Sequence, residues 1–268
     1  MKKDLRYSSI NCFCYICGKY ENTTDTVKIS LSRDTYKLFF LKKGDCKIFV
    51  DGTVYDIFEH QSFMVFPNSR VIIQPDKNRP ISFYWVEFGG IIADSLLLQT
   101  AFCRAKPIVG KINVPYFEKL FEIPHSGYET PYAQFRAGGQ IVVLLSYYME
   151  HYPRLSTQNN TYVFEALNYI EQNIGSSDLN VKSVADYVKI DRTYLYRLVK
   201  DEIGISLVEY INKSRVSRAE ILLANRITTV KDVAFSVGFS DPLYFSRVFK
   251  KYNGLTPTEY QRKNRVLE

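Results

Sequence analysis

The run Asp232-Val-Ala-Phe-Ser-Val-Gly238-Phe-Ser-Asp241-Pro-Leu-Tyr-Phe-Ser-Arg247-Val-Phe-Lys-Lys-Tyr-Asn-Gly-Leu-Thr256-Pro-Thr-Glu-Tyr260 decides how the C-terminal part of this chain folds. It reads as a short helix, a tight turn and a second helix. Thr229, followed by Asp232, is placed to cap the first helix, since a side-chain oxygen there accepts from one of the backbone N–H groups left without a partner. Gly238 supplies the positive φ or the close approach that the turn demands. Asp241 caps the second helix, and Pro242 stands at its first position, where a missing N–H costs nothing.

Working outward, the same punctuation recurs about 50 residues earlier. Val184-Ala185, Val188 and Ile190 return as Val233-Ala234, Val237 and Phe239. After one extra residue, Leu195, Arg197, Lys200, Gly204 and Ile205-Ser206 return as Phe245, Arg247, Lys250, Gly254 and Leu255-Thr256. A repeat of this kind means two copies of one supersecondary unit. In the first copy Asn180 and Asp191 take the capping places, and Lys189 stands where the second has its turn glycine. The two helix-turn-helix units are expected at about 181–202 and 230–252.

Between the copies, Ser206-Leu-Val-Glu209 opens a helix with a capping box, as Thr256-Pro-Thr-Glu259 opens the last one. The first of these helices is expected to run from Leu207 to about Asn225, with Tyr210, Val216 and Leu222-Leu223 among its apolar contacts and Arg215 and Arg218 near its middle. At 1.5 Å per residue it is a rod of roughly 27 Å. Such a rod can hold two recognition helices about 34 Å apart, one turn of B-DNA.

Over residues 162–264 the chain resembles the DNA-binding domain of the AraC/XylS family, and the run from Asp232 to Tyr260 follows that family's signature almost throughout. Within each second helix the apolar stripe, Leu195, Leu198 and Val199 or Phe245, Val248 and Phe249, faces inward. The outward side then offers Arg192, Thr193, Tyr196, Arg197 and Lys200 in the first copy, and Asp241, Leu243, Ser246, Arg247 and Lys250 in the second. The resemblance implies that Thr193, Tyr196, Arg197, Leu243, Ser246 and Arg247 face base edges. An arginine can read guanine O6 and N7 with two parallel bonds, while lysines mostly hold phosphate. A solvated charge or an ion pair is the alternative for each arginine.

The 268 residues favour two domains, and a 46% hydrophobic content suffices for a core in each. The net charge of +7 divides evenly, 19 basic against 15 acidic residues up to 160 and 16 against 13 beyond, so charge alone does not locate a polyanion partner. No run of about 18 apolar residues exists, and Met1 to Ser9 is too charged and polar for a signal-peptide core, which points to a cytoplasmic protein without membrane contact. The cysteines Cys12, Cys14 and Cys17 cluster without a nearby histidine. They read as a short apolar strand of reduced thiols, the alternative being a metal site with a missing ligand.

From Tyr36 to Phe88 short strands alternate with turn signals: Tyr36–Leu41, Lys47–Val50, Asp51-Gly52 as a type I′ turn, Thr53–Tyr55, Phe63–Phe66, Val71–Ile73 and Ile81–Phe88. Regular spacing of this kind indicates a small sandwich or barrel. Ile91–Phe102, Tyr116–Ile123 and a stretch from Pro131 through Met149 read as helices, and Leu155–Asn160 as a polar linker. The fold class is therefore α+β in two domains: a β-barrel or sandwich with flanking helices over 1–154, a linker over 155–161, and an all-α domain over 162–268 holding two helix-turn-helix motifs joined by a long helix.

Residues 36–90, ending in Phe83-Tyr-Trp85-Val-Glu-Phe-Gly-Gly90, resemble the cupin-like regulatory half of the same family, whose members with this ending control carbohydrate uptake and breakdown. The resemblance implies a small-molecule effector, a sugar, with Trp85 stacking on it, Lys43 and Gln74 at polar-contact positions and Phe83 beside them; Trp85 as plain barrel filling is the alternative. It also implies a homodimer through the helix carrying Ile141, Leu144, Leu145 and Tyr148, against the alternative that these pack on the protein's own barrel. RNA polymerase is a further partner by resemblance, and an activator role follows on the same ground. No metal or cofactor is expected, because the strand region holds only His60 where cupin enzymes cluster histidines. A metal-dependent cupin enzyme and an adaptor with a degenerate helix-turn-helix module are the competing classes.

Overall fold

The computed structural model describes residues 12–30, 35–123, 131–155, 158–224 and 228–265. Met1–Ser9, Ser156 and Thr157 of the expected linker, and Asn225, on which expectations above touch, lie outside them. The chain divides into two compact units: the first contains residues 1–156, the second residues 157–201 and 205–268.

In the first unit β1 (Phe13–Thr23), β8 (Ile81–Gly89), β3 (Tyr36–Lys43), β6 (Ser62–Val65) and β9 (Ile108–Val109) form one antiparallel sheet in that order. A second holds β2 (Val27–Ser30), β7 (Arg70–Pro75), β4 (Cys46–Val50) and β5 (Thr53–Ile57). The β4–β5 hairpin turns on Asp51 (φ 48°) and Gly52 (φ 91°), the paired positive φ of a type I′ turn. Alternation along β3 and β8 sorts the side chains into two cores. Phe39, Leu41, Ile81 and Phe83 meet Ile48, Ile57, Val71 and Ile73 between the sheets. On the other face Tyr36, Leu38, Tyr84, Val86 and Phe88 join the helices α1 (Ile91–Leu97) and α2 (Pro131–His151).

Several expectations shift here. The expected helix Ile91–Phe102 ends at Leu97, and Tyr116–Ile123 is only a 3-10 turn over Phe117–Phe121. The cysteine segment leads into an eleven-residue strand, and Cys12, Cys14 and Cys17 are buried in the helix-side core. Burial pushes the Cys12 thiol up to about 12, with the Asp94 carboxylate adding to it. The stripe assigned to dimer contact is corrected. Ile141, Leu144, Leu145 and Tyr148 are fully buried in their own domain, and the Tyr148 hydroxyl shares a 2.7 Å hydrogen bond with Ser62 on β6. The barrel's outer face needs an apolar cover, and α2 supplies it.

The second unit is helical: α3 (Gln158–Asn173), α4 (Val181–Val188), α5 (Arg192–Ile203), α6 (Leu207–Ala224), α7 (Val230–Ser236), α8 (Pro242–Asn253) and α9 (Pro257–Arg265). Because α3 starts at Gln158, part of the segment read as linker is helix. The caps sit where the sequence places them. Asn180 accepts from the backbone N–H groups of Lys182 and Ser183, Asp191 from those of Thr193 and Tyr194, Thr229 from that of Asp232, and Asp241 from that of Leu243. At α9 the capping box is closed both ways, Glu259 N–H to Thr256 Oγ1 and Thr256 N–H to the Glu259 carboxylate. In α8 the buried Phe245, Val248, Phe249 and Asn253 recur at helical spacing and fix which side turns outward.

Candidate nucleic-acid interface and effector domain

Helices α4 and α5 form one helix-turn-helix and α7 and α8 the other, so α5 and α8 are the recognition helices. On α5, Arg192, Thr193, Tyr196, Arg197 and Lys200 are all exposed, and Lys200 lies 3.4 Å from the Tyr196 hydroxyl. On α8, Leu243, Arg247 and Lys250 are exposed, while two residues expected beside them are engaged by the backbone of their own helix. Asp241 holds the helix cap at 2.8 Å, and the Ser246 hydroxyl, half-buried, donates 2.9 Å back to the carbonyl of Pro242.

A feature that the sequence reading missed is common to both modules. The Arg197 guanidinium lies 5.6 Å from the ring of Tyr194, and that of Arg247 lies 5.8 Å from Tyr244. A ring one turn back holds each arginine by a cation–π contact and leaves its N–H groups free to donate outward. The Tyr-x-x-Arg spacing in both copies was the available signal.

Between the modules, Arg215 of α6 is buried and donates to the carbonyls of Ile174 (3.3 Å), Ser176 (2.7 Å) and Leu179 (3.4 Å) in the segment joining α3 to α4. Its guanidinium also lies 5.4 Å from the ring of Phe239, in the turn of the second module. Burial draws its pKa down, yet an arginine keeps its charge. This side chain therefore ties the segment that leads into the first copy to the turn of the second, by hydrogen bonds on one side and a ring contact on the other.

In the first unit the four expected effector residues separate. Phe83 is buried between the sheets and stacks 4.9 Å from Tyr20. With the exposed Lys43, Tyr20 and Lys42 it lines a cleft of about 280 Å³ at one end of the barrel. The cleft opens where β1 and β3 both slip register against β8, between Tyr20 and Thr23 and between Leu41 and Lys43. Such bulges re-aim side chains at barrel rims.

Trp85 stands apart from that cleft. Its indole packs over Gly18, where a Cβ would come within 2.9 Å of the ring, and the Lys37 ammonium lies 4.3 Å from the ring centre and 3.3 Å from Glu87. The Trp85 Nε1–H is buried without a hydrogen-bond acceptor among the described residues. Gln74 is a correction: β7 alternates, so with Val71, Ile73 and Pro75 inward, Gln74 points out from the sheet, away from Trp85.

Two copies of a DNA-reading motif on one helical domain, preceded by a double-sheet domain with a cleft, define a ligand-binding helix-turn-helix regulator. Residues 13–140 match the AraC-like ligand binding domain and residues 184–263 match a helix-turn-helix domain. The chain belongs to the AraC/XylS family of transcription regulators. It is 28% identical over 239 residues to the Msm operon regulatory protein of Streptococcus mutans, covering 86% of this chain and 85% of that one. It is 29% identical over 226 residues to the arabinose operon regulatory protein of Escherichia coli, 83% of this chain and 73% of the other. The lactose operon transcription activator of Staphylococcus xylosus is 25% identical over 234 residues, 84% and 82%. Among the described residues no helix is long and apolar enough to cross a membrane.

Proposed function

We propose that this regulator reads double-stranded DNA through α5 and α8 together, and that a sugar held in the first unit controls it as an activator of carbohydrate-utilisation genes. The observation that carries the first half is the matching presentation of Arg197 and Arg247, each exposed and each held by a tyrosine one turn back. Arg197 and Arg247 donate to base edges; Arg192, Lys200 and Lys250 hold phosphate, and Thr193 and Tyr196 flank the first site. The relatives named for sugar operons support the second half, as does the buried Trp85 Nε1–H without an acceptor among the described residues, a donor that a sugar hydroxyl can meet. The protein acts in the cytoplasm without a cofactor and without catalysis. It works as a homodimer that contacts RNA polymerase. Since the apolar stripe of α2 is used within the domain, the exposed Tyr132 and Val143 on its other face are the dimer surface.

Selection of preferred sites from a random duplex pool, with a salt series on the winner, tests the DNA-reading half. The expected outcome is two contact blocks about one helical turn apart and affinity that falls with salt. Arg247→Ala is expected to relax preference at one base position in one block and Arg197→Ala in the other, each costing about 1–3 kcal/mol against the selected site. No enriched site would sink this half. For the effector half, the single tryptophan gives a direct readout: a panel of mono- and disaccharides should change Trp85 fluorescence and raise the melting temperature, and the rise in melting temperature should be lost in Trp85→Ala.

A further inference from the structure

Leu243 is 75% exposed in the first turn of α8, although the domain gains nothing by leaving a leucine in water there. It stands four residues before Arg247, so the two share one face of the helix. The polar side chains around it are engaged within the helix itself. The Asp241 carboxylate accepts the Leu243 N–H, and the Ser246 hydroxyl donates to Pro242. Arg247 is held by Tyr244 and is free to donate outward.

We infer that Leu243 is a specificity-determining residue of the second module and reads the C5-methyl group of a thymine in the major groove, beside the base that Arg247 reads. An apolar side chain on a recognition helix has one apolar partner on a base edge there, the thymine methyl; the other edges present hydrogen-bond donors and acceptors that leucine cannot satisfy. Burial of Leu243 against the methyl removes both from water, and a polar edge in its place stays unpaired. The second block of the operator therefore carries a T·A pair close to a G·C pair. At the corresponding place α5 presents Thr193, whose single methyl makes only a smaller contact of the same kind, so the methyl preference is weaker in the first block.

This inference rests on the DNA-reading proposal, and the test separates the two. With the selected duplex and the full chain, each thymine is replaced singly by uracil, which removes one methyl and nothing else. Binding should weaken about fourfold, the worth of one buried methyl-sized group, at one position under the second module and should be unchanged at that position in Leu243→Ala. Leu243→Gln should move the preference at that pair toward adenine, whose N6 and N7 a glutamine can meet. If no thymine shows the loss, or if Leu243→Ala shows it equally, the inference is overturned while the DNA-reading proposal stands. If Leu243→Ala fails to fold, the uracil series on the unaltered protein and the preference of Leu243→Gln decide. Absence of any selected site defeats both.

Discussion

Lys189 and Gly238 occupy the same place in two copies of one motif, and both adopt positive φ, 57° and 89°. At Lys189 the side chain is exposed. At Gly238 a Cβ would lie 2.7 Å from the carbonyl oxygen of Ile174 and 2.9 Å from the guanidinium of Arg215. The backbone demand is identical; the space is not. The second turn is roofed by the segment after α3 and by Arg215, while the first turn faces water. Equivalent positions in a repeat thus share their φ but not their tolerance, because tolerance is set by what the rest of the chain brings over them.

That contrast can be broken most directly at the glycine. Gly238→Ala should destabilise the protein by about 2–4 kcal/mol, combining a left-handed backbone for a residue with a Cβ with overpacking against a carbonyl. Lys189→Gly should do the reverse and raise stability by up to about 1 kcal/mol, since it relieves the same backbone cost with no clash to begin with. Urea unfolding followed by circular dichroism checks both, and an equal response at the two sites would undo the comparison.

The next effect sharpens the account of the roof. Arg215→Met keeps much of the stem but leaves the carbonyls of Ile174, Ser176 and Leu179 without this donor. A loss of about 1–3 kcal/mol is expected from buried acceptors left unpaired. In the background of Arg215→Met, Gly238→Ala should cost less than it does alone, since one of its two obstacles is gone. Simple additivity of the two changes would show that Arg215 does not restrict the turn.

The smallest effect concerns the caps of the recognition helices. Hydrogen bonds from the backbone N–H groups of Tyr194 and Thr193 hold the Asp191 carboxylate below its ordinary pKa of 3.8. A depressed carboxylate stabilises the fold fully above that ordinary value, and the contribution is lost as pH falls through the lower one. The stability gap between the protein and Asp191→Ala, measured by urea unfolding, should accordingly stay constant from pH 7 to about 5 and narrow below pH 3.8. A gap that widens on acidification would contradict the cap.

The caps and the apolar stripes of α5 and α8 were legible because they depend on residues within four positions of one another. The Asp51-Gly52 turn and the inward and outward sides of β8 were legible for the same reason: local φ preference and alternation decide them. The Tyr-x-x-Arg pairs were within reach on that scale and were overlooked. Strand β2 alternates Val27 and Ile29 with polar residues over only four positions, too short a pattern to read alone, and forms by pairing with β7, about forty residues on. The short end of α1 likewise depends on distant packing around Thr100, which is fully buried.

Sequence by itself determined the two-domain α+β architecture, the tandem recognition motif and the apolar stripes that α5 and α8 turn inward, because periodicity and capping are short-range physics. Only the tertiary structure decided that the stripe of α2 covers the barrel, that Gln74 points away from Trp85, that Lys43 joins Phe83 at a bulged rim, and that Arg215 roofs the turn at Gly238. Those outcomes depend on which surface lies opposite a side chain once the chain has closed. An apolar stripe or a buried arginine specifies that it needs a partner; the partner itself, often forty or more residues away, is chosen by the packing of the whole domain.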